Sequence, residues 1–473
     1  MKVKYLVVAS MAAITLFTPL AASGAPVSRV VDLPSGSLGL YQGYLPLLSC
    51  ASAHNCAVGG VELNAKDVQT AFVATERHGT WQRAVVLTPP NGFQASQGVT
   101  LTSLQCTTVT ECSATGQYGT PAGQFAFTVS EVNGVWQGGS RLKLPTNAAV
   151  TSQFASPHAE WCASPGYCVT VGTYVDLAGA TQGFVAFQTR GAWGAAHEIA
   201  LPTNANLDPH LSLTQLSCRT TGDCVAVGSY TSSDSSTQGL VLPEVRGHWL
   251  RGRALSLPGN ASAFSGASAS ELTCGPTTCT IVGTYLTYGG SLEPMVSQGW
   301  GTAWGRAQTL TLPSNAARNP QTLFYGFSTG VSCDASNTCA LGGQYLDTNG
   351  HYQGFLAVGT RGRWGRTTEL ILPSGAQQAG HNGGVVSLSC VSSICHAGAA
   401  YIDAHGLYQA FLVTRTSSGW HPGTTVPLPR GAASVGVDGG LYSIECSSAA
   451  TCVASGSYLA STTRYEGFVV TLP

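Results

Sequence analysis

Charge is scarce in this sequence. Only 9% of its 473 residues are Asp, Glu, Lys or Arg, and the formal net charge is -1. Past the first four residues the only lysines are Lys66 and Lys143. With no basic stripe to neutralise phosphates, nucleic acid is not an expected partner. Long apolar runs are lacking too. The run from Tyr5 to Phe17 is too short to cross a bilayer and no later one is longer, so no membrane span is expected. No 3.6-residue periodicity is sustained after it, which leaves little room for helix. A nucleophile elbow, a Gly-rich phosphate loop, a metal-binding His pair and a calcium loop are all missing, so no metal and no cofactor is expected.

The start of the chain has a different character. Lys2 and Lys4 precede the apolar run, and Pro19 and the small residues "AASGA" follow it. That layout predicts a secretory signal peptide over residues 1–25, cut near Gly24 or Ala25, with residues 26–473 as the mature domain. The first cysteine is Cys50, too far along for a lipid anchor. The expected location is therefore secreted, cell-surface or periplasmic. Sixteen cysteines, an even number, fit such an oxidising compartment. No pair has C-x-x-C spacing and no histidine recurs beside them, so disulfides are expected in preference to zinc.

The phrase "LSCRTTGDCVAVGSY" (residues 216–230) returns as "WCASPGYCVTVGTY", "LTCGPTTCTIVGTY" and "IECSSAATCVASGSY". Its first cysteines are Cys50, Cys106, Cys162, Cys218, Cys274, Cys333, Cys390 and Cys446, at intervals of 56, 56, 56, 56, 59, 57 and 56 residues. Their partners are Cys56, Cys112, Cys168, Cys224, Cys279, Cys339, Cys395 and Cys452. Such steady short spacing predicts a repeat in which each pair bridges across its own hairpin. Each repeat reads as four short strands. One leads into the first cysteine and the next leaves the second cysteine towards Gly-x-Tyr. A polar loop leads to the third, and a Gly-containing turn such as "TRGAW" opens a fourth that ends in Leu-Pro.

Eight four-stranded units, none able to bury both its faces alone, predict an all-β fold: an eight-bladed β-propeller with one intra-blade disulfide per repeat. The last repeat ends at "YEGFVVTLP" after three strands, and "PVSRVVDLP" near the N-terminus looks like the missing fourth. Residues 27–33 are therefore expected beside residues 465–472, closing the ring. The Gly-x-Trp hairpins, such as "GVW" at 134–136, stand where sialidase-type repeats carry their Asp-box turn. In architecture the whole mature chain resembles secreted bacterial β-propellers of the broad sialidase-repeat and Kelch-like type. The Ser and Asp of that box are missing here, so the resemblance implies a fold and no sialidase activity, and no catalytic residue is carried over.

Where eight units share one design, a departure from it marks a candidate site. Two positions before the first cysteine stand Leu48, Leu104, Glu160, Leu216, Leu272, Val331, Leu388 and Ile444, a single carboxylate among aliphatics. Glu160 lies in "SPHAEWC", with His158 on the same strand face and Trp161 beside it. On an innermost strand it would sit near a central channel with a raised pKa, suited to a general acid. The competing reading is a one-residue bulge at which Trp161 takes the core position and Glu160 turns to water. The second departure is "ARNPQTLFYGFSTGVSC", which adds Phe324, Tyr325 and Phe327 to an inter-blade loop. With Trp161 these are the candidate binding residues, since exposed aromatics suit stacking on sugars or anchoring a peptide; a local mini-core competes with that reading. His396, after Cys395, reads as a tolerated hairpin residue.

The expected function is a non-catalytic exported binding or scaffold protein, monomeric, with a glycan, a cell-surface polymer or another exported protein as partner. One alternative is a glycan-active hydrolase or lyase using Glu160; another is a structural envelope component. A glycosidase needs two carboxylates across its substrate, and one candidate is visible, so binding ranks first.

Overall fold

The computed structural model describes residues 26–150, 153–262, 266–317, 330–377, 383–430, 432, 440–449, 451–461 and 463–472. Within them the chain is all-β: repeated antiparallel sheets, two single turns of 3-10 helix at Tyr41–Gly43 and Ala95–Gln97, and no α-helix. No helix of the described residues is long and apolar enough to cross a membrane.

The fourth repeat shows the unit plainly. Ser212–Thr220 pairs antiparallel with Asp223–Thr231, which pairs with Thr237–Val245. The chain then reverses at Arg246 and Gly247, whose φ angles of 52° and 79° are those of the hairpin turn that x-Gly favours. The fourth strand is present but broken. His248–Trp249 pairs opposite Val245 and Glu244, and Arg253–Ala254 opposite Val241 and Leu240, with the register advanced by one residue between the two pieces. One extra residue on the outer strand is a β-bulge.

A second bulge falls on the first strand. Leu213 faces Gly228 and Gln215 faces Val227, so Thr214 is the extra residue. The same place is taken by Thr102, His158, Ser270, Val386 and Tyr442 in other repeats. The bulge presses the first strand onto the second. A Cβ on Gly228 would lie 1.9 Å from the Ser212 carbonyl oxygen, which is why this slot takes glycine.

All eight disulfides form within their repeats, between residues opposed across the first and second strands with Cα atoms 3.9 to 4.1 Å apart. No cysteine is free. The bridges lie in the cores between neighbouring sheets. Cys218 and Cys224 of the fourth repeat share one such core with Leu216, Tyr230 and Leu240, and with Ala159, Val171 and Val185 of the third.

The Tyr of Gly-x-Tyr does more than pack. Tyr174, Tyr230, Tyr285 and Tyr345 are fully buried, and their hydroxyls donate to Oδ1 of Asn147, Asn204, Asn260 and Asn315 at 2.9 to 3.0 Å. Each of these asparagines belongs to the Leu-Pro-x-Asn-Ala turn that leaves the preceding repeat. Two sequence motifs 25 to 30 residues apart, about half a repeat, thus meet at these four junctions.

First strands of successive repeats neighbour one another, and the first of all, Leu47–Ser52, also neighbours the last, Gly440–Ser448. Val27–Val30 lies antiparallel on Arg464–Leu472, with Val30 opposite Phe468, as the fourth strand of the last sheet. The second and third repeats share a sheet, through parallel pairing of Gly123 and Gln124 with Gln153 and Phe154.

Candidate functional site

Antiparallel sheets of this kind have two ends. At one end lie the disulfide hairpins and the turns into the fourth strands, tied together by bonds such as Gly247 N–H to Gly222 O (2.7 Å). At the other lie the exit turns and the loops between second and third strands. These meet in bridges at Ala148 and Asp176, Ala205 and Ser232, Ala261 and Thr287, Ala316 and Asp347, and Ala376 and Asp403.

At the loop end the carboxylates serve the loops themselves. Asp176 Oδ1 accepts the Ala178 and Ala180 N–H groups at 2.9 Å, and its Oδ2 accepts Gln182 Nε2 at 3.2 Å. Asp347 with Gln353, and Asp403 with Gln409, repeat the arrangement. An acidic side chain that caps its own loop backbone holds a turn. This end also exposes large apolar side chains. Leu207 is 94% exposed, Val150 76%, Tyr288 72% and Leu177 68%, the four highest values among the large apolar side chains of the described residues. Phe324, Tyr325 and Phe327 lie outside the described residues.

Glu160 keeps the core slot that leucines hold in other repeats, facing the second repeat and only 4% exposed. The bulge expected to turn it to water falls two residues earlier, at His158, and leaves Glu160 pointing inward. Burial pushes its carboxyl up to about 8, opposed by the nearby Ser113 hydroxyl. Even so, neither Ser113 Oγ nor Glu160 Oε2 completes a hydrogen bond among the described residues. No second carboxylate contributes to that shift.

His158 and Glu160 do not share a strand face. As the bulged residue, His158 breaks the alternation, and its Nε2 meets Thr173 Oγ1 at 3.0 Å. The Thr214 hydroxyl makes the corresponding bond back to the second strand, to Val227 O at 3.3 Å. His158 thus fills a slot of the fold, with its pKa lowered by burial. Trp161 faces the fourth repeat and packs half-buried on the core there. His396 is 7% exposed, with Nδ1 3.1 Å from Thr414 Oγ1. Two clusters bring metal-ligating residue types together, Glu160 with Cys162 and Cys168, and His396 with Cys446 and Cys452. In both, the sulfurs are bonded to each other and offer no thiolate.

No protein-family model and no curated protein matches this chain. Solved structures resemble it loosely. A puromycin-hydrolysing peptidase of Mycobacterium tuberculosis aligns with 92% of this chain at 11% identity and a TM-score of 0.44; the chain spans 61% of the peptidase's length. An ulvan lyase of a new polysaccharide lyase family aligns with 93% of this chain and 95% of its own, at 10% identity and a TM-score of 0.42. The Hadza microbial sialidase Hz136 covers 64% of this chain and 62% of its own, at 11% identity and a TM-score of 0.36. Likeness at this level assigns no chemistry.

Proposed function

We propose that the eight four-stranded repeats are the blades of one closed β-propeller, exported after loss of residues 1–25, and that it binds a glycan or other cell-surface polymer without catalysis. The neighbouring of the first and last first-strands and the seating of Val27–Val30 on the last sheet support a closed ring. Eight disulfides in a chain without free cysteine support an oxidising exterior. The binding reading is carried by one observation: the four most exposed large apolar side chains among the described residues, Leu207, Val150, Tyr288 and Leu177, all stand at the loop end. Apolar side chains exposed together at one end suit contact with an extended partner that touches several repeats at once.

Binding of the mature protein to immobilised envelope polysaccharide tests this reading. Tyr288→Ala combined with Leu207→Ser should weaken retention without moving the melting temperature. Unchanged retention, or release of reducing ends or unsaturated sugar by the wild type, would sink the non-catalytic reading.

A further inference from the structure

At the hairpin end a groove recurs between neighbouring sheets, and one junction builds it differently. Between the second and third repeats the groove holds about 220 Å³, and its walls include Gln105, Glu111 and Ser113. Between the third and fourth it holds about 320 Å³, and Trp161, Tyr167 and Val169 stand in those three positions, with Phe187 beside them.

Glu244 lies in the floor of the second groove. It occupies the slot of Glu131 and Gln188 in the two preceding repeats, each opposite the hairpin tryptophan. Those two are engaged from the repeat before. Arg77 Nη2 donates to Glu131 Oε1 at 2.6 Å, and Gln188 Nε2 donates to Ser130 Oγ at 3.0 Å. Glu244 has no such partner. The counterpart of Arg77 is Thr189, and among the described residues no hydrogen bond or ion pair reaches the Glu244 carboxylate, although the residue is only 2% exposed. Burial, reinforced by the charge of Asp223, pushes it up to about 7.

We propose that this groove binds an organic cation, an alkylammonium group that pairs with Glu244 as Arg77 pairs with Glu131 and lays its carbon chain against Trp161, Tyr167 and Phe187. A neutral ligand would leave the carboxylate without a counter-charge, whereas a cation completes it, and aromatic faces attract both an ammonium and its apolar stem. The site lies at the opposite end of the sheets from Leu207 and Tyr288 and does not depend on the polymer-binding reading.

Calorimetric titration of the mature protein at about pH 8 tests the proposal, with n-butylammonium as the probe and n-butanol as its neutral match. Saturable binding of the cation is expected, with n-butanol weaker by about tenfold or more. Glu244→Gln should lose about tenfold in affinity with the melting temperature unchanged, because Gln188 shows that an amide fits this slot. Trp161→Gln, which copies Gln105, should weaken binding as well. Nα-acetyl-lysine amide identifies the source: tighter binding than n-butylammonium assigns the site to a lysine side chain, and weaker binding to a free amine. Equal affinity for n-butanol, full affinity in Glu244→Gln, or no saturable binding of either cation would overturn the proposal.

Discussion

The backbone N–H of Cys50 donates to Glu445 Oε2 at 2.9 Å, across 395 positions of sequence. At four other junctions the N–H of a repeat's first cysteine finds a serine of the preceding repeat: Ser49 for Cys106, Ser217 for Cys274, Ser332 for Cys390 and Ser389 for Cys446. Glutamate does between last and first repeats what serine does elsewhere. Desolvation pushes the Glu445 carboxyl up to about 7, with the Cys50 N–H pulling the other way. Glu445→Ala leaves that N–H without its acceptor and should cost about 1–3 kcal/mol. A melting temperature equal to the wild type's would show that the bond does not hold this junction.

Removal of residues 26–33 tests the same junction from its other side. Val31 and Leu33 are buried in a core that joins Cys56, Val58 and Phe72 of the first repeat to Val453 and Val469 of the last. Losing these two side chains alone should cost roughly 3–6 kcal/mol, beyond the unpairing of Arg464–Leu472. Urea unfolding should show a lower midpoint; coincident curves would argue against closure.

The Tyr230–Asn204 bond is predicted to be a modest stabiliser. Tyr230→Phe keeps the buried ring and removes the donor, for a loss of about 1 kcal/mol. A double-mutant cycle with Asn204→Ala should return a coupling of about 0.5–1.5 kcal/mol. Zero coupling would mean that the tyrosine acts through packing alone.

Glu160 should make stability depend on pH in a defined direction. Its folded pKa of about 8 lies above the ordinary carboxylate value of 4.5, so the folded state holds the proton longer. Its contribution is neutral below about pH 4, falls as pH rises through the window between the two values, and is fully unfavourable above about pH 8. Glu244, Glu271 and Glu445 are raised as well, so the informative quantity is the difference between variant and wild type. Glu160→Leu, the residue of most other repeats, should stabilise by up to the order of 5 kcal/mol at about pH 9 and far less at about pH 4. A pH-independent difference would mean that Glu160 titrates normally in the fold.

What the sequence determined by itself is what repeats along it. The cysteine period, the alternation along each strand and the x-Gly turns are local signals, and they predicted repeated four-stranded units, the pairing of all sixteen cysteines and a last sheet completed from the N-terminus. The sides that Glu160 and His158 face were not legible, because the extra residue at His158 resets an alternation that is otherwise read two by two. Trp161 stood out as a departure within its own repeat. Glu244 did not, since Glu76 and Glu131 hold the same slot. What sets it apart from Glu131 is Thr189 across the groove where Arg77 would be. Only the tertiary structure decides such matters, because a carboxylate's desolvation and its counter-charge depend on the neighbouring sheet, which the chain reaches only after a full repeat.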